Sequence, residues 1–222
     1  MSQYETLMAR DGHTFSTYIA KPAGKPRGGV VVVQEIFGLS PHIVRVADSF
    51  ASQGYLTVAP ALFDRVARGI VLGYSPPEVE QGLGYRKQIT RAQAVLDITA
   101  AAAVIRHAGK VAVIGFCWGG RLAWAAASEV PFAAAVVYYG GGIPDELPKT
   151  PKCPTILHFG EHDRSIPQSD VERIRQAFPA GLIHLYAAGH AFSNDDRPQN
   201  YDAAASTLAR ERTAAFLTLH IG

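Results

Sequence analysis

Three side chains in this sequence have the types and the chain order needed for attack on a carbonyl group: Cys117, Asp163 and His190. A cysteine attacks as its thiolate, so it needs a base to raise the thiolate fraction. The base needs an acid that fixes its tautomer and stabilises the imidazolium. Cys117 lies in Gly115-Phe-Cys-Trp-Gly119, where small residues on both sides let the backbone turn sharply. Taken alone it has a plainer reading as an inert packed thiol, since free cysteine is among the most buried residue types.

Asp163 lies in Gly160-Glu-His-Asp163, directly after an apolar run that ends at Phe159. Glu161 and Asp170 are weaker acids for the role, the first nearer the predicted strand and the second inside a predicted helix. An Asp in a loop also commonly forms a turn or caps a helix. His190 lies in Ala187-Ala-Gly-His190-Ala-Phe192, where Gly189 gives the loop freedom to aim an imidazole inward. His158 and His162 flank the acid loop and stand as alternatives. His107, His184 and His220 fall at a predicted helix end, within a strand and near the C-terminus.

The elements that must carry these residues alternate along the chain. Residues 13–20 alternate in polarity and read as an antiparallel edge strand, after which Val30-Val-Val-Val33 opens a buried sheet. A helix at 43–53, a strand at 56–59 and a helix from about Tyr85 to His107 follow. Lys110 to Ile114 is an apolar, β-branched strand, and Arg121 to Ser128 is rich in helix formers, so Cys117 falls on a strand-to-helix turn. Strands at 133–139, 155–159 and 182–186 and helices at 169–177 and 201–219 complete the pattern. Such alternation predicts an α/β fold, a mostly parallel central sheet with helices on both faces, as one domain over residues 1–222. Residues 61–84, with Pro76 and Pro77, are expected to be a long irregular connection at the rim of a cleft.

The composition is that of an ordinary globular chain: 222 residues, 48% hydrophobic and 18% charged, with a formal charge of +2. The charges are interspersed, and no basic patch with interleaved aromatics points to nucleic acid. No run of about 18 apolar residues could span a bilayer, and the first residues lack a signal-peptide pattern. A cytoplasmic protein with no membrane partner is expected, its two cysteines reduced. Without further cysteines or a close histidine pair, neither a metal nor a cofactor is expected.

Nucleophile, acid and base each follow a predicted strand, in the order expected of an α/β-hydrolase. At a finer grain, Gln34-Glu-Ile-Phe-Gly-Leu39, Gly115-Phe-Cys-Trp-Gly-Gly120, Tyr138-Tyr-Gly140, Gly160-Glu-His-Asp163 and Ala188-Gly-His-Ala-Phe192 together resemble the dienelactone hydrolase family, over about residues 11 to 219. The resemblance implies Cys117 as nucleophile, His190 as base and Asp163 as the acid that orients it. Glu35, which from the residues alone would point to solvent, matches the family glutamate that contacts the resting thiol and helps to generate the thiolate. The backbone amides of Ile36 and Trp118 would form the oxyanion hole. The implied substrate is a small lactone or activated ester such as a dienelactone, hydrolysed by a monomer or weak homo-oligomer.

Two departures bear on the substrate. Well-known family members carry an arginine four residues after the catalytic histidine, which pairs with a substrate carboxylate; here that position is Asn194, and Arg197 is the nearest replacement. For a second family arginine the nearest residue is Arg86, beside Tyr85. Phe37, Trp118, Tyr138, Tyr139 and Phe192 are candidates for an apolar wall near the nucleophile, although core packing is the commoner role of such residues. Two further readings compete with hydrolysis: a ligand sensor on the same scaffold without turnover, and a redox thiol, against which the absence of a Cys-X-X-Cys pair counts.

Overall fold

A computed structural model describes residues 2–222. Eight strands form one sheet: β1 (Gln3–Met8), β2 (Thr14–Ala20), β3 (Gly28–Val33), β4 (Tyr55–Pro60), β5 (Val111–Phe116), β6 (Ala134–Tyr138), β7 (Thr155–Gly160) and β8 (Leu182–Tyr186). The spatial order is β1-β2-β4-β3-β5-β6-β7-β8. β1 and β2 are antiparallel, and from β4 to β8 every pair is parallel. The six helices are α1 (Pro41–Ser52), α2 (Pro76–Gln88), α3 (Arg91–Ile105), α4 (Trp118–Glu129), α5 (Gln168–Ala177) and α6 (Ala203–Ile221).

The valine run of β3 explains the layering. Successive side chains of a strand point to opposite faces, so a strand buried on both sides is apolar throughout. Val30 and Val32 face a core shared with α1, α5 and α6, while Val31 and Val33 face one shared with α3 and α4. β3 is also the switch point of the sheet. α1 carries the chain from β3 to β4 on one side, and β5 lies against β3 on the other. In such sheets a crevice opens at the carboxyl ends of the strands flanking the switch. Gln34 and Glu35 leave β3 there, and Cys117 leaves β5.

Two expectations are corrected. β2 is not the edge strand, because β1 covers it; β1 is largely exposed, so its pattern carries no apolar alternation. The helix expected from Tyr85 to His107 is two helices, and the first begins inside the stretch read as irregular. Pro76 opens α2, where its missing N–H costs nothing, and Ser75 and Glu78 form a capping box before it. Thr90 and Gln93 form a second capping box that starts α3 afresh.

Candidate active site

Cys117 is the residue between β5 and α4, with φ 54° and ψ −119°. A non-glycine residue at positive φ is uncommon and costs on the order of 1 kcal/mol or more, so it persists only where its surroundings hold it. The Cys117 amide donates to the Tyr138 carbonyl at 3.0 Å, and the Cys117 carbonyl accepts from Gly120 at 2.9 Å. The turn also demands bare backbone beside it. A Cβ on Gly115 would run into the Gly119 carbonyl, and one on Gly119 into the carbonyls of Val33 and Gln34. The sulfur thus stands at the N-terminus of α4, where the helix dipole favours an anion.

His190 reaches it from the loop after β8, with Nε2 3.2 Å from Cys117 Sγ. Its Nδ1 lies 2.6 Å from Asp163 Oδ2, and the other oxygen of that buried carboxylate accepts from the Ser165 amide at 2.8 Å. Burial pushes the imidazole pKa down. The adjacent Cys117 and the bond to Asp163 outweigh it and raise the value to about 10. The Tyr139 ring stands edge-on to the imidazole at 5.2 Å, and its hydroxyl is 2.7 Å from Ser193 Oγ. Among the described residues, the amides of Ile36 and Trp118 donate to no protein acceptor.

Glu35 is 1% exposed, not directed to solvent. Its Oε2 accepts from Asn194 Nδ2 at 2.7 Å, while Oε1 has no partner and Cys117 is hydrogen bonded to His190 instead. Glu35, Cys117 and His190 line one cleft of about 460 Å³ together with Ile36, Phe37 and Trp118.

Comparison with known proteins fits this geometry. The sequence profile described as "Dienelactone hydrolase family" matches residues 15–221. The chain belongs to the dienelactone hydrolase family. Among its relatives is a carboxymethylenebutenolidase of Pseudomonas putida, 34% identical over 223 residues, which span 96% of this chain and 94% of the relative. Carboxymethylenebutenolidase 1 of Cupriavidus pinatubonensis is 30% identical over 96% of this chain and 95% of its own length. A Klebsiella pneumoniae structure solved as a candidate dienelactone hydrolase superposes with a TM-score of 0.84 at 30% identity, covering 98% of this chain and 99% of that one. An esterase of Pyrococcus furiosus shares the fold alone, with a TM-score of 0.70 at 14% identity over 100% of this chain and 93% of that one. The architecture is accordingly the α/β-hydrolase fold, and membership of the dienelactone hydrolase family makes this chain a hydrolase of the carboxymethylenebutenolidase type, acting on a lactone or ester.

The remaining residues that resemblance to dienelactone hydrolases brought forward divide into two groups. Arg86 and Arg197 both line the cleft. The Arg197 guanidinium lies 5.6 Å from the ring centres of both Phe37 and Tyr74, and its Nε has no partner. Tyr85, Tyr138 and Phe192 do not line the cleft, which corrects the expectation for all three. Tyr85 packs on Phe63 and accepts a hydrogen bond from Gln81 at 2.8 Å. Tyr138 is buried beneath α6, its hydroxyl 2.7 Å from Thr213 Oγ1. Phe192 is buried among Tyr139 and Tyr186.

The structure also contributes residues that no motif marked. Val79 and Leu83 of α2 form one wall of the cleft, where an irregular segment was expected. Tyr74 lies within 3.4 Å of Asn194 Nδ2, and Asn200 donates to the His190 carbonyl at 3.1 Å. The only signal for the first pair is the Ser75-Pro-Pro-Glu78 helix start, which sets a helical turn at the rim.

Proposed function

We propose that this protein hydrolyses a small lactone or activated ester through Cys117, His190 and Asp163, by way of an acyl-thioester. The carrying observation is the continuous relay from Asp163 Oδ2 through His190 to Cys117 Sγ, with links of 2.6 and 3.2 Å, at a strained turn inside the cleft. The Cys117 sulfur attacks the carbonyl carbon, the C–S bond forms, and the carbonyl π pair moves to oxygen. The free amides of Ile36 and Trp118 receive that oxyanion. Collapse breaks the ring C–O bond, and the His190 imidazolium gives its proton to the departing oxygen. Water then enters, His190 takes its proton, and hydroxide attack on the thioester releases the acid and returns the thiolate.

Leaving-group chemistry sets the substrate class. A thiolate is itself readily expelled from a tetrahedral intermediate, so the competing group must leave at least as easily. An enolate does so where a simple alkoxide does not, which favours enol-lactones and aryl esters. Arg197, with its unpartnered Nε, and Arg86 are the cations on the cleft wall suited to a substrate carboxylate.

The test is replacement of Cys117 by alanine and by serine, with turnover of an aryl ester and mass spectrometry on rapidly quenched enzyme. The expected result is loss of turnover in Cys117→Ala and an acyl adduct on Cys117 in the unaltered protein. Undiminished turnover in Cys117→Ala, with the fold retained, overturns the assignment.

A further inference from the structure

A second cavity, of about 250 Å³, lies between α1 and α6, and none of its lining residues is shared with the catalytic cleft. Phe116 and Tyr138 line its base, their rings packed on each other at 4.7 Å with 22° between their planes. The His42 ring stands edge-on to Phe116, and Val46 and Phe50 of α1 close the apolar side. The opposite rim is cationic. Arg45 and Arg210 both line it, and Asp195 is the one carboxylate in the lining itself.

These cations differ in how they are engaged. Arg45 is held by Asp195 at 2.8 Å and Asp196 at 2.7 Å. Arg210 takes part in no ion pair or hydrogen bond among the described residues, yet its charge reaches the buried Tyr138 hydroxyl. A free guanidinium on the rim of a cavity lined by aromatic and aliphatic side chains suits a small apolar molecule carrying an anionic group at one end. A carboxylate fits the guanidinium fork in two-point fashion. Apolar carbon, a small planar ring included, fits the lining of Val46, Phe50 and Phe116.

We propose that this cavity is a second binding site, for a small planar organic carboxylate, distinct from the catalytic cleft. Its contents bear on that cleft through one loop. Ser193 lines the cavity and is bonded to Tyr139, whose ring abuts His190. Asp195 lines it and is tied to His42 and Arg45. Asn194, between those two residues, is the donor to Glu35. A carboxylate that draws Arg45 from Asp195 therefore acts on the segment that holds Glu35. Binding in the cavity does not depend on the hydrolytic reading, so either can fail alone.

The probe is benzoate, with benzamide as its neutral counterpart, titrated by isothermal calorimetry into the full chain. Arg210→Gln is expected to weaken benzoate binding by about tenfold or more, and Val46→Trp, which fills the cavity, to abolish it. The double variant Arg86→Gln/Arg197→Gln, on the catalytic cleft, is expected to leave it unchanged. Benzamide should bind about tenfold or more weakly than benzoate. Arg210 is exposed on α6, so its variant keeps the test valid if Val46→Trp does not fold. Retention of full affinity in Arg210→Gln, loss of binding in the cleft double variant, or no saturable binding of benzoate would overturn the proposal.

Discussion

Asn194 donates a 2.7 Å hydrogen bond to Glu35, a carboxylate that is almost wholly removed from water and has one oxygen without a partner. A neutral amide therefore stands where family members with an arginine at this position would set a full positive charge. The carboxylate keeps a donor but no counter-charge from this side. Replacing Asn194 by alanine should cost about 1–3 kcal/mol in urea unfolding, because a buried acceptor loses its donor. Adding Glu35→Gln to that variant should recover part of the loss, a non-additivity that a double-mutant cycle measures.

Asp163 Oδ2 lies 2.6 Å from His190 Nδ1, the position from which the proposed acid would hold the His190 tautomer. Asp163→Asn keeps an oxygen for the Ser165 amide yet reverses the preferred tautomer. Turnover of an aryl ester should fall by about a thousandfold or more, with the melting temperature changed far less.

His190 titrates near pH 10, above the 6.5 of an unperturbed imidazole. A histidine raised in this way contributes stability that is complete below pH 6.5 and is lost as pH rises through 10. The stability difference between the unaltered protein and His190→Gln should shrink over that window. Cys117 leads the causes that raise the value, so in Cys117→Ala the imidazole should titrate lower, as followed by NMR of the ring protons. The alkaline limb of kcat/KM should fall near pH 10, as His190 loses its proton.

Gly82 is the one fully buried residue of α2, and a Cβ there would run into the Ile36 carbonyl. Gly82→Ala should push the helix off the loop that carries the Ile36 amide. The expected outcome is a loss of about tenfold to a hundredfold in kcat/KM with little change in unfolding free energy.

Arg86 and Arg197 set the charge of the cleft wall. Replacing each by alanine should lower kcat/KM for lactones bearing a carboxylate more than for neutral ones, by about tenfold at Arg197. Equal losses on both substrates would remove these residues from selectivity.

What the sequence made legible follows physical rules of short range. Val30 to Val33 marked a central parallel strand because burial on both faces removes alternation, and the glycines around Cys117 marked the turn because no larger residue fits. The exposed strand β1 left no such pattern. Pro76 and Pro77 read locally as irregular chain, although proline at the first turn is a helix start when Ser75 and Glu78 cap it. Tyr138 and Phe192 sit beside site motifs in sequence yet turn into the core, because alternate strand residues and a tight loop send them to the α6 face. The bond between Asn194 and Glu35 spans 159 positions, and no local pattern encodes such a meeting.

The helix α2 carries its own N-terminal cap in Ser75, Pro76 and Glu78, buries only Gly82, and supplies Val79, Leu83 and Arg86 to the cleft. Nothing in the relay of Asp163, His190 and Cys117 passes through it. Residues 76–88 are thus an exchangeable panel: a different helix grafted at Ser75, with a glycine kept at position 82, would present new shape and charge to incoming esters while the attacking sulfur stays in register. The share of the cleft wall that α2 supplies lies on a length of chain separate from the relay and can drift or be redesigned without moving Cys117 or His190.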